Sequence, residues 1–179
     1  MAQRPVLLHS CCAPCTVYPY KMLKEQGFSP TCLFHNPNIH PYTEFRRRLD
    51  AMKVFAFETR ATVIIDEHYG LDDFMANVFG KDERCLICYA MRLRETARIC
   101  QKEQLERFTS TLLYSKHQKH EKIIEAGERA AAEFGVEFFY QDFREGWKEG
   151  IRMSKQMQLY RQQYCGCIFS EQERYMGNL

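Results

Sequence analysis

The chain has 179 residues, 45% hydrophobic and 27% charged, a balance that suits a single folded domain of ordinary size. A formal charge of +2 excludes a nucleic-acid partner recruited by bulk charge, so any RNA contact has to come from local clusters of Lys and Arg. No run approaches the ~18 apolar residues of a membrane span, and the apolar stretch near the N-terminus is too short for a signal peptide. The expected place is the cytosol, where thiols stay reduced, and nine cysteines there point to metal ligation or redox chemistry.

In chain order, Val6 to Leu8 reads as a buried strand, followed by a helix from about Val17 to Gln26 and a second strand from Thr31 to His35. Phe45, Leu49, Met52 and Phe55 or Ala56 then share one helical face. Thr62 to Ile65 is a third strand. Leu86, Tyr89, Ala90, Leu93, Ala97 and Cys100 form a helical stripe running on from Cys85. Phe108 to Leu113 is a fourth strand, Ile123 to Phe134 another helix, and Glu137 to Tyr140 a fifth strand. Such alternation predicts an α/β fold, a mostly parallel sheet flanked by helices over residues 1–140, with a helical tail over 141–179. In such sheets ligands bind beyond the carboxyl ends of the strands, and the first cysteines follow the first strand directly.

The cysteines sort into groups. Cys32 lies within a strand and Cys100 on an apolar stripe, so both read as core. Cys85 and Cys88 form a C-x-x-C at a helix start, where the dipole favours an anionic ligand set. Cys11 and Cys12 converge only if they leave the strand, and Pro14 suggests a turn there. Together the two groups would complete a four-thiol site, for zinc or for an iron–sulfur cluster, with Cys15 as a fifth thiol or a buried neighbour. Cys165-Gly166-Cys167 reads as a further ligand pair, a redox-active dithiol or two structural thiols. Gly166 tolerates unusual backbone angles.

The polar groups are less specific. Arg46 to Arg48 read as a solvated face. Lys116 to His120 opens a helix and suits a phosphate contact. Arg161 between Tyr160 and Tyr164 suits an RNA strand. Asp142 serves as a ligand, an acid or a helix cap. The loop Asn36-Pro37-Asn38-Ile39-His40-Pro41 lines a pocket or merely connects. No glycine-rich nucleotide signature is present, so electrons would come from an outside donor.

LLHSCCAPC (Leu7 to Cys15), HNPNIHP (His35 to Pro41), RCLICYAMRLRETA from Arg84, TSTLLYSKHQKH from Thr109, YQDFREG from Tyr140 and LYRQQYCGCIFSE from Leu159 span nearly the whole chain. In order and spacing these blocks resemble the QueH family, the cobalamin-independent epoxyqueuosine reductases. The resemblance implies a HUP-like α/β domain that reduces epoxyqueuosine to queuosine at the wobble position of tRNA. It implies a [4Fe–4S] cluster on Cys11, Cys12, Cys85 and Cys88. Cys165 and Cys167 would be a redox-active pair or would help hold an additional iron ion, and Asp142 an oxygen ligand or acid. The partners implied are the tRNA and an external electron donor such as a ferredoxin or flavodoxin, with no membrane involved. Two rival readings are a zinc-bearing RNA-binding module without redox activity and a thiol-based tRNA sulfur transferase.

Overall fold

A computed structural model describes residues 4–177. Five strands, β1 (Arg4–His9), β2 (Phe28–Phe34), β3 (Val63–Ile65), β4 (Arg107–Ser110) and β5 (Glu137–Phe138), form one all-parallel sheet in the order β3-β2-β1-β4-β5. Seven α-helices stand among the described residues: α1 (Ala13–Glu25), α2 (Tyr42–Thr59), α3 (Leu71–Val78), α4 (Arg84–Lys102), α5 (His120–Phe134), α6 (Trp147–Gln156) and α7 (Ile168–Met176). The expected α/β architecture is therefore the observed one.

This is a doubly wound order. Sequence runs outward from β1 through β2 to β3, then returns to β4 and β5, so the switch point lies between β1 and β4. The pairing His9↔Ser110 sets the ends of those strands side by side, and the loops after them, Ser10 to Cys12 and Thr111 to Tyr114, open on the same crevice. Helices α1 and α2 pack together, as do α4 and α5, the pairs that right-handed crossovers place on opposite faces. One core joins Val6, Leu7 and Leu8 of β1 to Leu49, Leu93, Phe108 and Ile123, and reaches Phe143 and Leu159 of the tail.

Several elements differ from expectation, among them three boundaries and one helix that the sequence does not predict. α1 begins at Ala13, four residues before the predicted start, with Pro14 in its first turn. Proline is compatible there because first-turn N–H groups have no helical partner. α3 was not predicted at all, although Phe74 and Val78 supply a buried i, i+4 pair. The fourth strand ends at Ser110, whose hydroxyl accepts from the Leu112 N–H and turns the chain into a 3-10 segment, Thr111–Tyr114. The fifth strand stops at Phe138.

Candidate functional site

The end of β1 gathers thiols because a helix starts there. Cys12 occupies the N-cap of α1 and Cys15 its first turn, so Cys12-Ala13-Pro14-Cys15 is itself a C-x-x-C wound into a helix start. Among the described residues, Cys11, Cys12 and Cys15 are the one set of three or more metal-ligating side chains whose donor atoms all lie within 4.8 Å of one another. Cys11 Sγ stands 3.9 Å from Cys12 Sγ. Thr111, across the switch point, accepts the Cys11 N–H at 3.0 Å and donates its hydroxyl to Cys11 Sγ at 3.3 Å. Hydrogen bonds from Cys12 and Cys15 hold the Cys11 thiol well below its ordinary value, outweighing burial. Burial, then the bond to Cys11, pushes Cys12 up, and the bonds to Cys11 and Cys12 push Cys15 up. The three thiols thus pull on one another, with Cys11 the one that gives up its proton most readily, and a soft cation would bind them as thiolates.

Beneath this loop His9 is fixed in one form. Burial, helped by the charge of Arg92, pushes it down to about 3, so the ring is neutral. Its Nε2 faces the His35 carbonyl at 3.2 Å and must donate, so Nδ1 accepts from the Ser110 hydroxyl at 2.9 Å.

Cys85 and Cys88 ride the first turns of α4, Cys85 exposed and Cys88 buried. Cys88 packs with Phe74 and Val78 of α3, and Cys167 of the tail joins that small apolar cluster. The helix dipole was expected to favour thiolates here. Burial outweighs it: both thiols are pushed up, Cys88 to about 12. Arg92, one turn further along α4 and also buried, is the cation between the two thiol groups. The charges of Cys88, Cys165 and Cys11 all act on its guanidinium, and its Nη2 has no hydrogen-bond partner.

The tail thiols are held from outside. Arg48 of α2, 1% exposed, donates to the carbonyls of Tyr164 (3.0 Å) and Cys165 (2.8 Å) and pairs with the buried Glu44 carboxylate at 2.7 Å. The other Glu44 oxygen accepts the Tyr160 hydroxyl at 2.5 Å. The Tyr164 hydroxyl donates to the His40 carbonyl at 2.5 Å, and the His40 N–H donates to the Gly166 carbonyl at 2.8 Å. Gly166 has φ +150, and a Cβ there would stand 3.2 Å from Asn38 Nδ2 and 3.3 Å from Arg48 Nη1. Both tail cysteines are free, Cys165 exposed and Cys167 half-buried. Cys165 Sγ accepts from Gln118 Nε2 at 3.1 Å, whereas Cys167 Sγ caps α7 through the Ser170 N–H at 3.4 Å.

These contacts revise three readings. Arg48 is no part of a solvated face, although Arg46 and Arg47 are its neighbours in sequence. The Asn36-to-Pro41 loop backs the tail thiols. Tyr160 and Tyr164 are struts whose hydroxyls are already spent, and Arg161 is the cation of that patch. In the Lys116-to-His120 segment, Gln118 bridges the Tyr89 hydroxyl (2.6 Å) and Cys165. Asp142 accepts the Arg144 N–H at 3.0 Å and pairs with its guanidinium at 2.6–3.1 Å, which pushes the carboxyl down to about 2. That is an Asx turn with a local ion pair and not the expected helix cap, since Phe143 holds the N-cap position of the following 3-10 segment without a side-chain cap bond; the ion pair keeps the carboxylate ionised. Cys32 and Cys100 are buried in the core as expected, their thiols pushed up by burial to about 12 and about 11.

A cleft of about 490 Å³ opens over the switch point, with Cys11, Cys15 and Cys165 in its lining together with Arg92, Arg161 and Trp147. The sequence does not single out Thr111, Arg92 or Trp147, and it offers Gln118 only within the Lys116-to-His120 segment, as a phosphate contact. The one local signal was phase: Arg92 lies one turn from Cys88 on the same helix. A doubly wound sheet that gathers free thiols at its switch point, where other proteins of this architecture often carry a glycine-rich loop, defines an α/β fold with a cysteine-lined candidate active site.

The family model described as Epoxyqueuosine reductase QueH matches residues 6–173. The chain belongs to this family. An epoxyqueuosine reductase QueH from Dehalococcoides mccartyi is 42% identical over 171 residues, covering 95% of this chain and 94% of that protein. One from Thermotoga maritima is 35% identical over 179 residues, covering 94% and 91%. One from Histophilus somni is 32% identical over 177 residues, covering 92% and 71%. No helix among the described residues is long and apolar enough to cross a membrane.

Proposed function

We propose that this chain is an iron–sulfur reductase that converts epoxyqueuosine to queuosine at the tRNA wobble position, in the reducing cytoplasm. Cys11 and Cys12 from the end of β1, with Cys85 and Cys88 from the start of α4, would hold a [4Fe–4S] cluster, Cys15 standing beside them. The observation that supports this reading is the convergence of Cys11, Cys12 and Cys15 within 4.8 Å at the switch point; Cys85 and Cys88 lie outside that set and would have to close on it around the cluster. The donor set fits the group: the sulfurs are soft, the Cys11 thiol is held below its ordinary value by its neighbours, and a buried arginine offsets the negative charge that a thiolate-ligated cluster brings.

When bound, the cluster would pass electrons singly from an external donor such as a ferredoxin or flavodoxin. The chain's own groups supply the rest. Deoxygenation of an epoxide to an alkene takes two electrons and two protons and releases water. Cys165 and Cys167 can supply both as a pair: each thiol loses a proton and an electron, an S–S bond forms, and both C–O bonds of the epoxide break. The external donor then returns two electrons, and solvent two protons, to the disulfide. Gln118 holds Cys165 Sγ at the cleft, and Arg48 fixes the main chain around it. In the alternative role, Cys165 and Cys167 would hold an additional iron ion beside the cluster. Asp142 could join as an oxygen ligand only by exchanging Arg144 for that cation. Residues 141–179 thus complete the site.

Anaerobic purification followed by iron and acid-labile sulfide analysis tests the cofactor. Zinc in place of iron and sulfide would overturn it. Incubation with tRNA carrying epoxyqueuosine and a reductant should remove one oxygen from the nucleoside mass; gain of sulfur would mark a transferase instead. Cys165→Ser should retain iron and lose reduction, and full activity in that variant would remove the tail thiols from the chemistry.

A further inference from the structure

The cleft has an aromatic wall that the redox chemistry does not use. Tyr18 of α1 stacks on Tyr114 at 6.1 Å and 29°, and Tyr114 packs on Trp147 at 5.1 Å and 33°. The first two rings are buried, whereas Trp147 is half-buried and lines the cleft. His117 meets the indole edge-on at 5.8 Å and 76°, and the Tyr114 hydroxyl donates to the Trp147 carbonyl at 3.1 Å.

The local sequence, Gly146-Trp147-Lys148-Glu149-Gly150, is built for this ladder. A Cβ at Gly146 would fall within the Tyr18 ring, and one at Gly150 would strike the Tyr114 hydroxyl. Only glycine on both sides of Trp147 lets the two buried rings lie against α6. The outermost ring is therefore held rigidly from behind, an arrangement that costs little entropy when a flat ligand stacks on it.

The charge of the cleft says which flat ligand. Its ionisable lining comprises Arg92, Arg161, Arg174, His117, Tyr114, Tyr164 and thiols, with no carboxylate among the described residues. A fixed aromatic face within a cationic, carboxylate-free cleft fits a nucleobase carried on a phosphate backbone.

We propose that Trp147 is the platform on which the substrate nucleobase stacks when it enters the cleft, with Arg161 and Arg174 meeting the flanking phosphates. This inference rests on the reading of the substrate as an anticodon-loop nucleotide and assigns the residue that positions it. Trp147 is the chain's single tryptophan, so its fluorescence reports the contact directly.

The test uses the holoprotein and two anticodon stem–loop RNAs, one with guanosine at the wobble position and one abasic there. Wild type should bind the guanosine loop about tenfold more tightly than the abasic loop, since stacking on one aromatic ring contributes roughly 1–3 kcal/mol. Only the guanosine loop should quench the indole. Trp147→Ala should bind both loops alike, and Trp147→Phe should recover most of the preference. A guanosine preference that survives in Trp147→Ala, or equal quenching by the abasic loop, overturns the proposal, and the wild-type comparison decides the matter even if the alanine variant fails to fold. A wild type that reduces tRNA without base-dependent quenching sinks the stacking alone. A wild type that binds neither loop and leaves tRNA unreduced sinks the substrate reading with it.

Discussion

The two ends of the chain present thiols to the same cleft by opposite means. Cys11, Cys12 and Cys15 are placed by their own backbone: a strand end, an N-cap and a first helical turn bring three sulfurs together within five residues. Cys165-Gly166-Cys167 lies between helices and is placed by partners distant in sequence: Arg48 and His40, each more than 100 residues away, and Gln118, 47 residues from Cys165. A locally built thiol set survives as long as its strand and helix do. A set held from outside is lost when one distant anchor goes. The reaction proposed above needs both, so the anchors of the tail matter to activity as much as the thiols themselves.

The largest effect should come from striking the locally built set. Cys12→Ser should reduce iron content after anaerobic reconstitution to background while leaving the far-ultraviolet circular dichroism unchanged. Next is Arg48→Met, which leaves Glu44 buried without its cation and the Tyr164 and Cys165 carbonyls without donors. Breaking a buried pair in this way costs about 3–5 kcal/mol in urea unfolding. If the two regions are separable, this variant loses reduction but still binds iron; loss of both together would refute the separation.

A pH dependence of intermediate size belongs to the loop behind the tail. Burial pushes His40 down to about 4, from the 6.5 of a free ring. The unfolded chain therefore binds a proton that the folded chain refuses. Stability is fully present above about pH 6.5 and is lost as pH falls toward 4, by on the order of 2–3 kcal/mol. His40→Phe, which keeps a ring against Tyr69 and Phe74, should flatten that window in denaturation midpoints taken between pH 4 and 7. The smallest effect is Ser170→Ala, which removes the acceptor of the Gly166 N–H at 3.2 Å and should cost about 1 kcal/mol with little change in iron content.

This contrast also explains what could be read from the sequence. The sheet, its order of strands and helices, and the cysteine pairs were legible because each is a local pattern: apolar runs, helical stripes, C-x-x-C spacing. The sequence leaves Cys15 open because Pro14 suits a turn as well as the first turn of a helix, where its missing N–H costs nothing. Arg48 was hidden in a run of three arginines. Its phase gave it away, since it sits three residues after Phe45 and beside Leu49, on the buried face of α2. Thr111 and Trp147 carry no local mark, and Gln118 is marked only as part of a basic segment, not as a partner of Cys165. Their roles arise from β4 lying beside β1 and from α6 lying on α1, which only the assembled fold supplies.

Helix α1 carries Cys12 at its N-cap, Cys15 on its first turn and Tyr18 on the next, at the base of the aromatic ladder. One rigid rod thus sets both the height of the indole and the reach of the sulfurs. Any substitution that tilts this rod displaces the two together, so the chain cannot retune the seat of its substrate without also detuning the chemistry beneath it.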